Sequence, residues 1–448
     1  MEQDSISAIL SRYPSQLPRY TSYPAAPHFR AIDPQTYSDA VASLPANKPL
    51  SLYLHIPFCA ELCWFCGCHT HITKKYEPVR NYLELLLLEI ALFAKTSGTR
   101  KLNIASIHFG GGSPTMLTPA DFNHCMDTIR THLNIMDDAR IAIEIDPRTV
   151  GEAKIAAYAK QGVNRVSLGV QDFDPQVQEA INRMQPLATV YETVRLCREY
   201  GIHDINFDLI YGLPGQTPES IRKTAQYAAL LAPGRIALFG YAHVPWKKKN
   251  MFLIPPETLP SDEQRLELHA VAVQTLQNAG YIPIGIDHFA LPADPLAKAK
   301  QEHTLRRNFQ GYTADEAEPL IGFGTSAISM LQQGYFQNTA NTQDYAQAIN
   351  TGTLPVARGF LLNDEDRLRR LLIEEIMCYL TLDLKKTASL PDFPAIRTSL
   401  LDLANSGLLR IDGDVITVDE RIPQAARIVS SLFDSYHNSG ETRHGRVA

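Results

Sequence analysis

The sequence has few of the features that mark membrane, secreted or nucleic-acid-binding proteins. Its most apolar stretch, residues 83–94, is too short to span a bilayer and carries two glutamates. The first residues lack the positive charge and apolar core of a signal peptide. The net charge of −6 argues against nucleic acid as the main partner, because phosphate binding requires concentrated Lys and Arg. We therefore expect a cytoplasmic protein without a membrane span.

Cysteines are scarce, and most of them lie close together. Only seven occur in 448 residues, and four of these fall within ten positions. The four are Cys59, Cys63, Cys66 and Cys68. A disulfide framework does not suit a large chain without a secretion signal, so the group indicates metal ligation. The other three, Cys125, Cys197 and Cys378, lie in apolar patterns that predict core positions.

Short apolar runs alternate with longer amphipathic stretches from residue 48 onward. The predicted strands are residues 51–56, 104–109, 141–145, 165–168, 205–209 and 235–241. Repeated strand–helix units with near-continuous apolar strands predict an α/β fold with a parallel sheet, here a partial (β/α)6 TIM-like barrel. Glycines and polar residues follow every predicted strand. Because such loops converge on one face, we expect a single ligand-binding mouth there.

The pattern divides the chain into four parts. Residues 1–47 are rich in proline and predict an irregular N-terminal arm. Residues 48–290 form the barrel, and residues 291–361 form a barrel extension or connector. Residues 362–448 predict a mostly helical, winged-helix-like C-terminal domain with a hairpin turn at Asp412-Gly413. We expect this domain to pack over the barrel mouth rather than bind DNA, and the chain to be a monomer.

The spacing of the cysteines has a direct chemical meaning. Cys59, Cys63 and Cys66 form a C-x3-C-x2-C pattern after the first predicted strand. Three thiolates can hold three irons of a cubane cluster and leave the fourth iron open for a ligand. A zinc site is the alternative, although zinc ligands usually come as two separated pairs and no second pair is present. Gly110-Gly111-Gly112 follows the second strand, where glycines would let the backbone approach a ligand closely.

This pattern resembles the radical S-adenosylmethionine superfamily, and further motifs narrow the resemblance. They are residues 18–24 (PRYTSYP), 53–59 (YLHIPFC), 66–68 (CGC), 144–148 (EIDPR), 169–173 (GVQDF), 208–214 (DLIYGLP) and 307–313 (RNFQGYT). In this order, over residues 10–435, they are similar to the family of oxygen-independent coproporphyrinogen III oxidases. The resemblance implies oxidative decarboxylation of two propionate groups of coproporphyrinogen III, giving protoporphyrinogen IX in haem biosynthesis.

The resemblance also implies cofactors and their ligands. We expect one [4Fe-4S] cluster on Cys59, Cys63 and Cys66, two S-adenosylmethionine molecules, and an electron donor of the reductase, flavodoxin or ferredoxin type. Contacts implied for the cluster-bound S-adenosylmethionine are Tyr53, Gly111, Glu144 and Ile328. Contacts implied for the second molecule are Phe65, Gly112, Ser113, Gln171, Arg183, Asp208 and Ala242. No acid or base is assigned, since the radical arises at the cluster.

The substrate has four carboxylates, so its pocket needs cations. Arg19, Arg306 and Arg307 are the candidates, with a solvated surface arginine as the alternative for at least one. Cys68 and His55 could support the cluster or the substrate, and His55 could equally be a core histidine. Lys247-Lys248-Lys249 is interpreted as a solvated run. Other functions left open are a related radical enzyme, such as a haem-directed methyltransferase or a cyclopropane-forming enzyme, and a haem chaperone.

Overall fold

The computed structural model describes residues 9–10, 12–13, 16–45, 47–98, 101–315, 317 and 319–437. Small parts of the predicted arm and the end of the predicted C-terminal domain, residues 438–448, lie outside this range. The strands are β1 Arg30–Ala31, β2 Leu50–Ile56, β3 Phe58–Cys59, β4 His71–Ile72, β5 Asn103–Gly111, β6 Asn134–Ile145, β7 Arg165–Gln171, β8 Asp204–Tyr211, β9 Arg235–Gly240, β10 Ile282–Ile284, β11 His288–Ala290, β12 Arg306–Asn308, β13 Gly311–Thr313, β14 Leu320–Phe323, β15 Ile328–Leu331, β16 Gly334–Asn338, β17 Val356–Leu361, β18 Thr381–Asp383, β19 Leu409–Asp412 and β20 Val415–Val418.

The α-helices alternate with the strands in the first part of the chain and become more frequent towards its end. They are α1 Pro34–Ala42, α2 Glu77–Thr96, α3 Pro119–His132, α4 Glu152–Lys160, α5 Pro175–Ala180, α6 Leu187–Glu199, α7 Pro218–Leu230, α8 Asp262–Asn278, α9 Pro295–Gln301, α10 Thr342–Asn350, α11 Asp364–Tyr379, α12 Phe393–Asn405 and α13 Ala425–Leu432. Among the described residues, no helix combines the length and the apolar character needed to cross a bilayer.

Six parallel strands form the centre of one large sheet. Strands β2, β5, β6, β7, β8 and β9 pair side by side in chain order, which confirms the predicted partial barrel. The sheet continues beyond both ends of this set, with β1 at one edge and β10 at the other. The barrel is therefore open and not closed. The helices between the strands cover its outer face and bury the main apolar core.

Local sequence signals start the helices at the expected positions. Helix α7 begins after Thr217, whose hydroxyl accepts from the backbone N–H of Ser220 while the Ser220 hydroxyl accepts from the Thr217 N–H. Pro218 occupies the first helical position, where its missing N–H costs nothing. Helix α3 begins in a similar way, with Thr118 as its cap and Pro119 as its first residue. These caps fix where the polypeptide leaves each strand-end loop, and so help to position the mouth of the barrel.

Two predicted regions are more regular than the sequence suggests. The arm contains helix α1, and β1 pairs with β17, so the prediction of an irregular arm is wrong for residues 30–42. The predicted connector supplies four strands of the large sheet, β14 to β17, and β14 runs parallel to β2. The local sequence does not reveal this pairing, because β14 lies more than 260 positions after its partner in the chain.

The C-terminal region has its own small sheet, as predicted. Strands β18, β20 and β19 form an antiparallel sheet, and β19 and β20 form a hairpin at Asp412-Gly413, where Gly413 has a φ of +58°. This region shares a second apolar core with the arm, which contributes Leu17, Tyr20 and Tyr23. The buried guanidinium of Arg427 donates to backbone carbonyls of the arm, including that of Pro18 at 3.0 Å. The arm is therefore held between the C-terminal region and the barrel.

Candidate active site

The cysteine loop follows β3 and opens into a cavity at the carboxyl ends of the parallel strands. Cys59, Cys63 and Cys66 all line this cavity, which has a volume of about 270 Å³ and is called the cluster cavity below. Cys63 is buried, whereas Cys59 and Cys66 are partly exposed to the cavity. The site therefore lies where parallel α/β folds place their ligands.

Hydrogen-bond donors surround the sulfur atoms. The Thr70 hydroxyl donates to Cys59 Sγ at 3.3 Å. Cys63 Sγ accepts from Arg183 Nη1 at 3.5 Å and from Arg148 Nη2 at 3.6 Å. Asp146 holds both guanidinium groups, at 3.4 Å from Arg183 and 2.7 Å from Arg148. Cationic donors of this kind stabilise thiolates, which are the form that binds metal.

The thiol pKa values of Cys59, Cys66 and Cys68 differ because the surroundings of these three side chains differ. Burial raises the pKa of Cys59 to about 11, against the smaller effect of the Thr70 hydrogen bond. The hydrogen bond from Cys68 is the main cause that lowers the pKa of Cys66 to about 6. The same contact raises the pKa of Cys68 well above its usual range. Within this pair the thiolate is therefore favoured at Cys66.

The donor set suits an iron–sulfur cluster better than a single ion. Within the described part of the chain, no three His, Cys, Asp or Glu side chains come together as ligands of one metal ion. A cubane cluster does not need such convergence, because each thiolate binds a different iron. Three cysteine sulfurs around one cavity, with charged donors behind them, meet this requirement. The geometry argues against the zinc alternative.

Side-chain amides fasten the backbone of the cysteine loop. Asn250 Nδ2 donates to the carbonyl oxygens of Cys63 at 3.3 Å, Trp64 at 3.0 Å and Cys66 at 3.0 Å. Asn182 Nδ2 donates to the Leu62 carbonyl at 2.8 Å. These bonds hold the loop from two directions, because Asn182 follows α5 and Asn250 lies in a 3-10 turn, Lys249–Leu253.

The lysine run beside Asn250 differs from its prediction at one position. Lys247 and Lys249 are exposed, as expected for a solvated run. Lys248 is half-buried, and its ammonium group donates to the Cys68 carbonyl at 2.9 Å. The prediction is wrong for Lys248 because the 3-10 turn that carries Asn250 also brings this side chain against the cysteine loop.

The triple glycine has a packing role that the sequence analysis did not foresee. A Cβ on Gly112 would lie 2.7 Å from the Phe58 carbonyl oxygen and 2.8 Å from its nitrogen. Gly111 has a φ of +120°, and a Cβ there would lie 2.6 Å from the His55 ring. The glycines thus allow the end of β5 to pack against β3 and the start of the cysteine loop. These glycines are required first for backbone packing, and not for the close approach of a ligand.

A second cavity continues from the first into the lumen of the barrel. It has a volume of about 410 Å³, is called the lumen cavity below, and shares Gly111, Glu144 and Asp208 with the cluster cavity. Its strand residues fall at alternate positions, because successive side chains of a strand point to opposite faces. They are Tyr53 and His55 on β2, His108 on β5, Ala142 and Glu144 on β6, Arg165 and Ser167 on β7, and Asn206 and Asp208 on β8.

Two carboxylates stand where the cavities meet. Glu144 accepts from His108 Nε2 at 3.1 Å and from the Gly111 N–H at 3.2 Å. Asp208 accepts from the Ser167 hydroxyl at 3.0 Å and from Asn206 Nδ2 at 2.9 Å. Burial, and then the nearby charge of Glu144, raise the pKa of Asp208. Both carboxylates can accept bonds from ammonium or hydroxyl groups of a ligand.

Comparisons with known proteins agree with this geometry. Residues 53–228 match the Radical SAM superfamily. An oxygen-independent coproporphyrinogen III oxidase of Bradyrhizobium diazoefficiens is 46% identical, over 96% of this chain and 97% of the relative. The enzyme of that name in Pseudomonas aeruginosa is 40% identical, over 96% and 95% respectively. The solved coproporphyrinogen III oxidase of Escherichia coli, described as a radical SAM enzyme, matches with a TM-score of 0.87 and 38% identity, over 93% of this chain and 97% of that one.

The chain belongs to the oxygen-independent coproporphyrinogen III oxidase family. It is therefore a radical S-adenosylmethionine enzyme, which uses a [4Fe-4S] cluster and S-adenosylmethionine. The similarity covers nearly the whole chain, including the arm and the C-terminal region. The expected family membership is confirmed.

The ligand contacts expected from the family fall into two groups in space. Ten of the eleven residues line one or both cavities, and Ala242 lines neither. The lumen cavity contains Tyr53, Gly111, Glu144 and Ile328. The cluster cavity contains Phe65, Gly112, Ser113, Gln171, Arg183 and Asp208. Gly111 and Glu144 of the first group and Asp208 of the second line both cavities, so the two groups meet where the cavities join.

The supporting residues expected for this family occupy different positions. Both ring nitrogens of His55 have protein partners, the Tyr53 hydroxyl at 3.0 Å and the His69 carbonyl at 3.0 Å. Burial lowers the pKa of His55 to about 4, so the ring is neutral at physiological pH. These contacts favour the reading as a core histidine. Cys68 lines both cavities, and its position does not require it to bind iron.

The three candidate substrate arginines are not equivalent. Arg19 is exposed and donates to the Gly240 carbonyl at 3.0 Å, so the arm reaches the end of β9. Arg307 is 8% exposed and stacks on Tyr312, and its Nε and Nη1 atoms have no hydrogen-bond partner among the described residues. Arg306 donates to Glu374 at 2.9 Å and lines neither of the two cavities. Its contacts are those of a structural ion pair.

Several residues of this site escaped the sequence analysis. Asp146 and Arg148 lie inside a quoted family motif, EIDPR, but no role was derived for them. Asn182 and Asn250 carry no local signal, because an isolated asparagine is common in loops and their partners lie 120 or more positions away. Only the spatial arrangement reveals that they hold the cysteine loop.

Proposed function

We propose that the protein decarboxylates two propionate groups of coproporphyrinogen III without oxygen, giving protoporphyrinogen IX. One observation carries this proposal: three cysteine sulfurs face a cavity that opens into a polar barrel lumen, in a chain that matches enzymes of that name from end to end. Each turnover would remove a hydrogen atom from the β-carbon of a propionate. Loss of carbon dioxide and one further electron would leave a vinyl group.

We assign the cluster to Cys59, Cys63 and Cys66. Bound there, it would supply the electron that cleaves S-adenosylmethionine to a 5′-deoxyadenosyl radical. Arg183 and Arg148 would balance the negative charge of the thiolates through their contacts with Cys63. Cys68 is not included, because it falls outside the C-x3-C-x2-C pattern of Cys59, Cys63 and Cys66.

The two cavities support two molecules of S-adenosylmethionine. The cluster-bound molecule would meet Tyr53, Gly111, Glu144 and Ile328, of which Gly111 and Glu144 also line the cluster cavity. The second molecule would meet Phe65, Gly112, Ser113, Gln171, Arg183, Asp208 and Ala242. Arg183 is 7% exposed, its Nε has no hydrogen-bond partner among the described residues, and its guanidinium is suited to a carboxylate.

Other parts of the sequence analysis remain proposals of the same kind. The four-part division of the chain, the monomeric state, the cytoplasmic location and an electron donor of flavodoxin or ferredoxin type are among them. A reducing compartment suits the seven cysteines, none of which forms a disulfide bond in the described structure. Arg19 and Arg307 remain candidates for the propionates at the mouth.

The test is an anaerobic assay of the reconstituted protein with coproporphyrinogen III, S-adenosylmethionine and a reductant. We expect a divinyl product and 5′-deoxyadenosine. Cys63→Ser should lose both, together with the brown colour of the cluster, whereas Cys125→Ser, a buried cysteine far from the loop in sequence, should keep the colour. A wild-type protein that has an intact cluster and forms no vinyl product would contradict the proposal. Methyl transfer in its place would favour the related radical enzymes.

A further inference from the structure

Arg165 is a cation in the lumen that forms no ion pair with a described residue. It lies at the start of β7 and lines the lumen cavity, two positions before Ser167 on the same face of the strand. Its cross-strand neighbours are Asp204 on β8 and Ala142 on β6, and Ala142 is in register with His108, which in turn is in register with Tyr53. Arg165 therefore belongs to the same row of inward-facing side chains as Tyr53.

No described residue pairs with Arg165. Its guanidinium makes no hydrogen bond, ion pair or ring contact in the part of the chain that the structure describes. Asp294 and Asp204, whose charges favour the cationic form of Arg165, are paired with Arg235 instead, at 2.8 Å and 3.2 Å from its guanidinium. Burial, and then the charges of Arg235 and Arg140, disfavour the charged form and lower the pKa of Arg165 to about 9. The group still carries its charge at neutral pH.

An arginine in a cavity that has no ion-pair partner costs a folded protein desolvation free energy, and a bound anion offsets that cost. The lumen around it offers hydrogen-bonding groups from His108, Asn206 and Tyr53, which suits a polar ligand rather than a bare inorganic ion. The two carboxylates of the lumen, Glu144 and Asp208, have their own partners nearer the mouth. A ligand here would thus place its anionic end at Arg165 and its hydrogen-bond donors towards the mouth.

We propose that Arg165 is a carboxylate-binding residue of the lumen, which anchors a ligand that enters from the mouth. This inference rests on the proposed function, because that function supplies two ligands with carboxylates. One source is a propionate of the porphyrinogen, and the other is the methionine carboxylate of an S-adenosylmethionine in the lumen. The guanidinium fork can hold either through two parallel hydrogen bonds.

The experiment compares Arg165→Gln and Arg165→Lys with wild type as cluster-loaded proteins. Arg195→Gln is the matched control, since Arg195 is an exposed arginine on α6 that pairs with Glu192 and Glu199. One arm measures the Kd of coproporphyrin III by fluorescence, with its uncharged tetramethyl ester as a second probe. The other arm measures S-adenosylmethionine binding by equilibrium dialysis without porphyrin. Iron content and thermal unfolding are recorded for each variant.

Arg165→Gln should weaken one of these ligands by about 10- to 100-fold, the range for a charged hydrogen-bonded pair. Arg165→Lys should recover part of the loss, because it keeps the charge and loses the fork. A loss for coproporphyrin III but not its ester identifies a propionate, and a loss for S-adenosylmethionine identifies the methionine carboxylate. Arg165→Gln without ligand should unfold at or above the wild-type temperature, since no protein partner is removed.

Both Kd values within about two-fold of wild type in Arg165→Gln would overturn the proposal, because a charged pair contributes more than that. If Arg165→Gln does not fold, its prediction of unchanged stability is already refuted, and Arg165→Lys then decides on binding with the same two probes. The wild-type vinyl assay is separate from these arms. A wild type without vinyl product refutes the proposed function, and an active wild type with an insensitive Arg165→Gln refutes only this inference.

Discussion

The asparagine that fastens the cysteine loop offers a direct test of how the site is built. Asn250→Ala removes the amide whose two N–H groups contact three carbonyls, those of Cys63, Trp64 and Cys66. A typical intramolecular hydrogen bond contributes about 1 kcal/mol net, so the ordered loop should lose about 2 kcal/mol relative to its open forms. Because about 1.4 kcal/mol corresponds to a factor of ten, the open population should rise by roughly 30-fold.

Cluster retention is the property that reports this change. We expect Asn250→Ala to release iron to a chelator about 10- to 100-fold faster than wild type under anaerobic conditions. Asn278→Ala serves as the control, because Asn278 is exposed on α8 and its side chain accepts a hydrogen bond from the Gln274 amide. The global unfolding temperature of Asn250→Ala should stay near that of the control, since the lost bonds lie in one loop.

The outcome that refutes the reasoning is equal iron release from Asn250→Ala and Asn278→Ala. The cysteine ligands alone would then determine the stability of the site, and the three carbonyl contacts would be incidental. A large drop in the unfolding temperature with normal iron release would also contradict it, because it would place the role of Asn250 in the fold and not in the loop.

Two further predictions concern packing and pH. Gly112→Ala should lose most of its cluster iron and about 1–3 kcal/mol of stability, because its Cβ would meet the backbone of Phe58 at 2.7 Å. Gly151→Ala is the control, because its Cβ would meet nothing within 4 Å. This control should match wild type in iron analysis and denaturant titration. Burial raises the pKa of Glu89 to about 7 from its usual 4.5, so the folded state binds this proton more tightly and the unfolding free energy should fall by about 3 kcal/mol as the pH rises from 4.5 to 7. Glu89→Gln should abolish that decline in denaturant titrations at several pH values and exposed Glu84→Gln should not; an unchanged decline in Glu89→Gln would refute the assignment.

The sequence was sufficient for the parts of the molecule that depend on local patterns. The six parallel strands were predicted because near-continuous apolar runs alternate with amphipathic helices, and β8, for example, was predicted as residues 205–209 and observed as Asp204–Tyr211. The cysteine loop was found because three ligands share one short segment. The hairpin at Asp412-Gly413 was found because its turn residues carry their own signal.

What the sequence did not reveal depends on contacts between distant segments. The pairing of β14 with β2 joins residues more than 260 positions apart, so no local pattern indicates it. The same is true of Asn250, which meets Cys66 across 184 positions. Arg165 was visible as a strand residue, but its lack of a partner could be recognised only once its neighbours were known.

The contact between the arm and the end of the chain has a consequence for biosynthesis. Arg427 binds the carbonyl of Pro18, 409 positions earlier, and Tyr20 binds Asp434. During translation the segment around Pro18 and Tyr20 therefore lacks these two partners until nearly the whole chain has left the ribosome. Strand β1 of the arm meets β17 earlier. The segment thus makes its last contacts only after the strands that carry the cysteine loop have been synthesised.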